Sequence, residues 1–376
     1  MRYYVIAGER SGDLHGSNLI NAIRKNDPSA AFRGFGGDYM KQAGLDLAVH
    51  YEQMAFMGLK ALVTNAWTIY QRIRFCKEDI VAFKPDVIVL IDYGGFNRRI
   101  AKFGKKAGIQ VFYYIPPKVW AWYTSRAWEL KANVDRMFVI LPFEKEFYRK
   151  FDFEVDYVGN PVLDAVKAFR PDPEFLKKHG FITHKTVIAL LPGSRRMELK
   201  KIVPLMAAVV RANPQYEFAV AAIQSLPQEL YGALREIASV KFVFDATYDL
   251  LSHAGAAIVT SGTATLETAL FKVPQVVVYK AGRLELSIIR TMVKVKFISL
   301  VNLIAGQSVV RELIQEQAIP EAVNTEIMNL VENDSYRKEM MSEYDRIYKI
   351  LDTGSASDNA GKLMVHYLNL KFMPLA

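Results

Sequence analysis

Two short segments carry the residues best suited to chemistry: Leu190-Leu191-Pro192-Gly193-Ser194-Arg195 and Thr260-Ser261-Gly262-Thr263-Ala264-Thr265-Leu266-Glu267. Each follows an apolar run that reads as a buried strand (186–191 and 256–259) and precedes a helical pattern. Free backbone N–H groups and a helix N-terminus then meet where an anion can sit. Glu267, just past the second turn, is placed for a carboxylate to accept hydrogen bonds from ribose hydroxyls. One such turn is ordinary in any α/β protein. Two in one domain, with Arg195 and an acidic partner, point to a nucleoside diphosphate, against plain connecting loops.

Asp92 is the next candidate. It ends the run Val87-Ile88-Val89-Leu90-Ile91 and precedes Tyr93-Gly94-Gly95-Phe96-Asn97. An acid at the carboxyl end of a buried strand can have its pKa raised by desolvation and can meet a substrate hydroxyl, the setting of a general base. An N-cap or loop-bracing Asp is the competing reading. Gly8-Glu9-Arg10-Ser11-Gly12-Asp13-Leu14-His15-Gly16 follows the first strand and offers polar side chains, Glu9 and Ser11 among them, for an acceptor or phosphate, or else is a tight turn. Gly34-Phe35-Gly36 does not complete a dinucleotide fingerprint, because Tyr39 holds the third glycine position. Trp120 and Trp122, beyond the fourth strand, could floor a sugar or acyl pocket or pack the loop.

Other chemistries find little support. The six histidines (15, 50, 179, 184, 253, 366) show no ligand spacing, and no Asp-x-Asp is present to hold a divalent ion against a diphosphate. We therefore expect neither metal nor cofactor. There is no nucleophile elbow and no P-loop lysine motif. Cys76 is the only cysteine, which excludes an internal disulfide and suits a reducing cytoplasm. The N-terminal apolar stretch is too short for a signal peptide, and no run approaches the length of a spanning helix.

The elements that must position these residues read as a doubly wound α/β pattern. Strand-like runs at 3–7, 31–34, 87–91, 111–115, 137–141 and 155–158 alternate with helical patterns. A polar, Pro-containing stretch at 161–185 breaks the rhythm, which restarts at 187–191, 217–221, 241–244, 256–259 and 275–279. After Ile288 the sequence reads as mainly helical, with 321–331 and 336–351 the clearest cases. We expect two Rossmann-like domains facing across a cleft: 1–165, 166–350, and a tail over 351–376 able to return to the first domain. The 376 residues suffice for two cores. Lys and Arg number 48 against 39 Asp and Glu, a surplus of nine. From Lys60 to Gln110 ten basic side chains face four acidic ones, a basic region suited to nucleic acid, anionic lipid or a phosphorylated substrate. Within it Leu59, Leu62, Val63, Ala66, Trp67, Tyr70 and Ile73 fall at helical spacing. With Phe56 and Met57 before them and Arg72, Arg74 and Lys77 after, they form either a membrane-contact helix or a core stripe.

In this order, several motifs resemble the lipid-A-disaccharide synthase family: Ala7-Gly8-Glu9 with Ser11-Gly12-Asp13, Met57-Gly58, Lys84-Pro85-Asp86-Val87, Ile91-Asp92 with Phe96-Asn97, and Val119-Trp120-Ala121-Trp122. Further along are Leu141-Pro142-Phe143-Glu144, Leu191-Pro192-Gly193-Ser194-Arg195, Ser261-Gly262-Thr263-Ala264 with Leu266-Glu267, and Asn302-Leu303 with Ala305-Gly306. The resemblance implies a glycosyltransferase-B fold. It also implies transfer of 2,3-diacylglucosamine from UDP-2,3-diacylglucosamine to the 6-hydroxyl of 2,3-diacylglucosamine 1-phosphate, with inversion and release of UDP. Asp92 matches that family's essential acid and Arg195 its essential arginine. Gly193, Ser194, Ser261, Gly262 and Thr263 would cradle the diphosphate, and Glu267 would hold the ribose. Asn302 and Glu312 would border the donor site, while Glu9, Ser11, Asn97, Trp120 and Trp122 would lie on the acceptor side. Many relatives carry a proline and an acid where Gly94 and Gly95 stand here. The acylated substrates imply docking on the anionic cytoplasmic face of the bacterial inner membrane, with no nucleic-acid partner. A UDP-sugar 2-epimerase of the same architecture, and a non-catalytic binder of nucleotide or anionic lipid, are the alternatives.

Overall fold

The computed structural model describes residues 1–54, 66–182, 184–282 and 296–372. The chain divides into two compact units, one formed by Met1–Pro161 together with Thr353–Ala376 and the other by Val162–Asp352.

The first unit is built on a seven-stranded, all-parallel sheet: β1 (Arg2–Ala7), β2 (Ala31–Gly36), β3 (Asp46–His50), β4 (Val87–Ile91), β5 (Gln110–Tyr114), β6 (Arg136–Val139) and β7 (Asp156–Tyr157), in spatial order β3-β2-β1-β4-β5-β6-β7. Strands β1, β4 and β5 are nearly continuous apolar runs because both faces of a parallel sheet are covered. Alternation sorts their side chains into two cores. Tyr4, Ile6, Ile88, Leu90, Val111 and Tyr113 point to one face; Tyr3, Val5, Ala7, Val87, Val89, Ile91, Phe112 and Tyr114 point to the other. Helix α1 (Arg10–Asn26) follows β1, α2 (Asp38–Gln42) follows β2, α3 (Ala66–Phe83) precedes β4 and α4 (Gly94–Lys106) follows it.

The second unit repeats the plan with β8 (Val187–Leu191), β9 (Glu217–Ala222), β10 (Lys241–Phe244), β11 (Ala256–Thr260), β12 (Gln275–Tyr279) and β13 (Arg311–Ile314), again all parallel, in the order β10-β9-β8-β11-β12-β13. Helix α5 (Arg196–Ala212) follows β8, α6 (Thr263–Leu270) follows β11, and α7 (Leu300–Ala305) precedes β13; α8 (Pro320–Glu332) and α9 (Asp334–Leu351) close the unit. Two strands escape the sequence reading. β13 lies where the sequence suggests a mainly helical region, and β3 is absent from that reading altogether. Both are edge strands with a single neighbour, so Asp46-Leu47-Ala48-Val49-His50 and Arg311-Glu312-Leu313-Ile314 keep polar residues and lack the continuous apolar run of an interior strand.

The chain then returns to the first unit as α10 (Ala356–Phe372), which lies on α1. Ala360, Met364, Val365 and Leu368 enter the core beside Leu19 and Ile23. Around that seam Lys25 pairs with Asp358 at 2.7 Å, Asn359 Nδ2 donates to the Val158 carbonyl at 3.0 Å, and the Tyr367 hydroxyl donates to Asp156. Gly361 permits the close approach, since a Cβ there would stand 2.8 Å from the Ala22 carbonyl carbon and 2.9 Å from the Ile23 nitrogen.

Two opposed terms make Gly361→Ala a test of that seam. Alanine in a helix interior gains about 1 kcal/mol of propensity over glycine, whereas forcing a methyl into backbone costs about 1–3 kcal/mol. Collision should win, lowering the urea midpoint; a raised midpoint would show that α1 and α10 are not held this closely.

Candidate active site

In both sheets the strand order reverses between two adjacent strands, β1 and β4 in the first unit and β8 and β11 in the second. Loops leaving the carboxyl ends of such a pair diverge to opposite sides and open a crevice, where ligands of open α/β sheets bind. Register puts Ala7 beside Ile91 and Leu191 beside Val259. The Glu9 turn therefore stands next to Asp92, and the Gly193 turn next to the Gly262 turn.

In the first unit, Asp92 and Tyr93 both adopt left-handed backbone, φ 44° and 49°. Such conformations cost on the order of 1–3 kcal/mol each in non-glycine residues and persist only where the surroundings impose them. Here the Asp92 carbonyl accepts from the Tyr113 hydroxyl at 2.7 Å and from Asn97 Nδ2 at 2.8 Å, and the Asp92 N–H donates to the Ile115 carbonyl at 3.2 Å. Asn97 is fully buried and also donates to the Ile91 carbonyl, so it braces the turn rather than facing solvent. The Tyr93 hydroxyl reaches the Met54 carbonyl at 3.0 Å, and its ring covers Gly8 so closely that a Cβ there would stand 2.2 Å from ring carbon.

This turn presents the half-buried Asp92 carboxyl to Glu9. Burial first, and then the charge and hydrogen bond of Glu9, push the Asp92 pKa up to about 6; Lys118 and the Tyr93 N–H act against them. Glu9 is the N-cap residue of α1 and takes a 2.9 Å hydrogen bond from Ser11 Oγ. His15, one turn further along α1, is pushed down to about 4 by burial against the pull of Glu9, so it is neutral at pH 7. Asp13, by contrast, is consumed structurally: it is buried and accepts the N–H groups of Gly37 (2.7 Å), Tyr39 (3.1 Å) and Met40 (3.0 Å), capping α2 from the adjoining α1 on the same face of the sheet.

Trp120 is buried, donates Nε1–H to Glu144 at 3.1 Å and meets the Phe143 ring edge-on. Glu144 also accepts the N–H groups of Ile140 and Leu141, yet burial outweighs these donors and raises its pKa to about 7. Trp122, only two residues on, is exposed.

In the second unit, Gly193 has φ +98°, and a Cβ on it would stand 2.5 Å from Glu198 Oε2. Glu198, in the first turn of α5, accepts the Arg195 N–H at 3.2 Å and the Arg195 guanidinium at 3.1 Å. With the Arg195 side chain 78 % exposed, that ion pair is worth little and can yield to a phosphate. Ser194 lies in the same turn. Gly262 has φ +152° and faces open space, and the amides of Thr263 and Ala264 open α6 without intrahelical acceptors. Glu267 accepts the Tyr248 hydroxyl at 2.9 Å, and burial raises its pKa.

Asn302 and Glu312 form a dense network behind these turns. Glu312 accepts from the Ile298 N–H (2.9 Å), the Ser299 N–H (3.0 Å), Ser299 Oγ (2.7 Å) and Asn302 Nδ2 (2.8 Å). Asn302 Oδ1 accepts the N–H groups of Val309 and Val310. Ser261 Oγ donates to the Ile298 carbonyl and Thr265 Oγ1 accepts the Leu300 N–H, which ties the Gly262 turn to the start of α7.

Of the proposed membrane residues, Phe56, Met57, Leu59 and Leu62 lie outside the described residues, as does Val63 of the same stripe. Trp67 and Tyr70 are exposed on α3 and stacked at 5.6 Å, Arg72 bonds Gln53, and Arg74 pairs with Glu78. The helix instead buries Ile73, Cys76 and Ile80. Sequence reasoning included His15 in the turn after β1 without giving it a role, and missed Lys118, Tyr248 and Glu198. Only Glu198 carried a local signal, an acid three residues after the N-cap position; Tyr248 precedes Glu267 by a whole strand.

The chain matches the family described as Lipid-A-disaccharide synthetase over residues 3–363. A relative named lipid-A-disaccharide synthase from Syntrophus aciditrophicus (strain SB) is 39% identical over 363 residues, 95% of each chain. Among solved structures, an S. aureus MnaA–UDP co-structure superposes with TM-score 0.70 at 13% identity, covering 98% of this chain and 97% of that one. A Neisseria meningitidis UDP-GlcNAc 2-epimerase bound to UDP-GlcNAc gives 0.67 at 14%, covering 99% and 100%. The structural likenesses show the architecture, shared with epimerases and glycosyltransferases. The sequence relatives fix the family, and the chain belongs to the lipid-A-disaccharide synthases.

Removing the Glu312 carboxylate strands four donors. Glu312→Ala should lower the unfolding free energy by about 2–4 kcal/mol, whereas Glu198→Ala, which loses the N-terminal cap of α5 and one ion pair to the exposed Arg195, should cost about 1 kcal/mol. Equal losses in urea melts would mean that Glu312 does not hold the α7 segment.

Proposed function

We propose that the chain, a glycosyltransferase of lipid A biosynthesis, moves 2,3-diacylglucosamine from its UDP derivative to the 6-hydroxyl of 2,3-diacylglucosamine 1-phosphate, inverting the anomeric centre and releasing UDP. The observation that carries this reading is the pairing, in one chain, of a carboxyl with a raised pKa at the first switch point and two anion-ready turns with Arg195 at the second.

Inversion needs a single displacement. Asp92 takes the proton of the acceptor 6-hydroxyl as that oxygen attacks the anomeric carbon, and the bond to the UDP oxygen breaks. A pKa near 6 suits a general base, because the carboxylate is largely ionised at neutral pH and more basic than an ordinary aspartate. Negative charge grows on the leaving diphosphate. It is met by Arg195, released from Glu198, and by the amides following Gly193 and Gly262, with Ser194, Ser261 and Thr263 lining the turns. Glu267, steadied by Tyr248, accepts the ribose hydroxyls, while Asn302 and Glu312 hold the rim of the donor site. Glu9, held by Ser11, sets the charge around Asp92, Asn97 fixes its backbone, Trp120 braces the following loop, and Trp122 is available to the acceptor.

Among the described residues no helix is long and apolar enough to cross a membrane. Acylated substrates reside in a bilayer, so the enzyme works at the anionic cytoplasmic face of the inner membrane, with Trp67 and Tyr70 suited to the headgroup layer.

Mass spectrometry of products from both substrates in detergent tests the reaction. A tetraacyl disaccharide 1-phosphate with matching UDP is expected, and its absence despite UDP binding would overturn the transferase reading. Asp92→Asn should cut turnover by about 10²–10⁴-fold while calorimetry shows UDP affinity within twofold; normal turnover would remove Asp92 from the chemistry.

A further inference from the structure

Between α3 and α4 runs an open groove of about 480 Å³, lined by Ile69, Tyr70, Ile73, Lys77, Arg99, Lys102, Phe103 and Lys106. Its floor is apolar: Ile73 is buried, and Ile69 and Phe103 pack against the core beneath. Its walls carry four cations and no acidic side chain. Elsewhere on α4 basic residues are neutralised, Arg98 by Glu129 and Lys105 by Asp135. Among the described residues no ion pair engages Lys77, Arg99, Lys102 or Lys106. Lys77 lies over the Phe103 ring at 5.5 Å, and among the described residues Arg99 bonds a carbonyl of its own helix, that of Gly95. The stacked Trp67 and Tyr70 stand at the same end of α3 as Ile69. Gathering like charges around an apolar trough is unfavourable in an empty groove and becomes favourable when an anion with an apolar tail occupies it.

We propose that this groove seats one phospholipid of an anionic bilayer, its phosphate among Lys77, Arg99, Lys102 and Lys106 and the upper part of an acyl chain along Ile69, Ile73 and Phe103. The inference rests on the membrane-docking reading above and moves its anchor from the α3 stripe alone to the α3–α4 seam. Helix α4 starts two residues after Asp92, and Arg99 lies about 7–8 Å along its axis from that start. A lipid held there sets the depth at which Asp92 meets acylated substrate.

Flotation with vesicles of phosphatidylcholine, alone or with phosphatidylglycerol, decides the matter when three proteins are compared. These are the natural chain, R99Q/K102Q/K106Q, and K145Q/R149Q/K150Q, which removes the same charge from the exposed side of the helix Glu144–Arg149 and the residue after it in this unit. The natural chain should float with phosphatidylglycerol vesicles. The groove variant should bind them at least about tenfold more weakly and the control variant within twofold of the natural chain, both keeping natural turnover on detergent-dispersed substrates. Equal weakening of both variants, or none, would overturn the groove and leave docking intact. Failure of the natural chain to float would overturn docking itself, and the groove with it.

Discussion

The reversal of strand order is the constraint on which everything else rests. Each sheet runs outward in one direction from β1 or β8 and then restarts on the other side with β4 or β11. Right-handed crossovers leave no other way to cover both faces of a parallel sheet, and the loops at the restart must part. The protein places its candidate chemistry at these two gaps. The same geometry arising twice is filled differently, with carboxyls in the first unit and with glycine amides and an arginine in the second.

The electrostatics follow from that division. Taking a proton calls for a carboxylate that binds it more tightly than free aspartate does, and partial burial beside a second acid achieves this. Holding a diphosphate calls for donors that need no reorganisation when charge develops, and helix N-termini supply them already oriented. The first site stores strain in the left-handed pair Asp92 and Tyr93, which Tyr113, Asn97 and the packing of Tyr93 on Gly8 hold in place. The second keeps its strain in Gly193 and Gly262, where the absence of a Cβ makes it inexpensive.

Much of this was legible in the sequence, and the gaps have physical reasons. Interior strands such as Val87–Ile91 and Val187–Leu191 are buried on both faces and read as unbroken apolar runs. The edge strands β3 and β13 have one neighbour, keep polar residues and were missed. Asp92 stood out because it directly follows such a run, and Gly193 and Gly262 because each comes two residues after one. Long-range pairings left no trace. Tyr248 meets Glu267 only after the chain has passed through β11, and the trans capping of α2 by Asp13 joins residues two elements apart. Arg99, Lys102 and Lys106 belong to the basic region that the sequence marks between Lys60 and Gln110, but their gathering around an apolar groove with Lys77 depends on α3 lying beside α4.

Asp92 owes its basicity to its burial and to Glu9. The pH dependence of kcat/KM, measured on the natural chain and on Glu9→Gln, puts this to the test. With the Asp92 pKa at about 6, activity should fall tenfold per unit below that pH, because protonation removes the base. Glu9→Gln removes the neighbouring negative charge that holds the proton on, so the acid limb should move to lower pH. An acid limb near pH 4 in the natural chain, or one that Glu9→Gln leaves in place, would contradict the account.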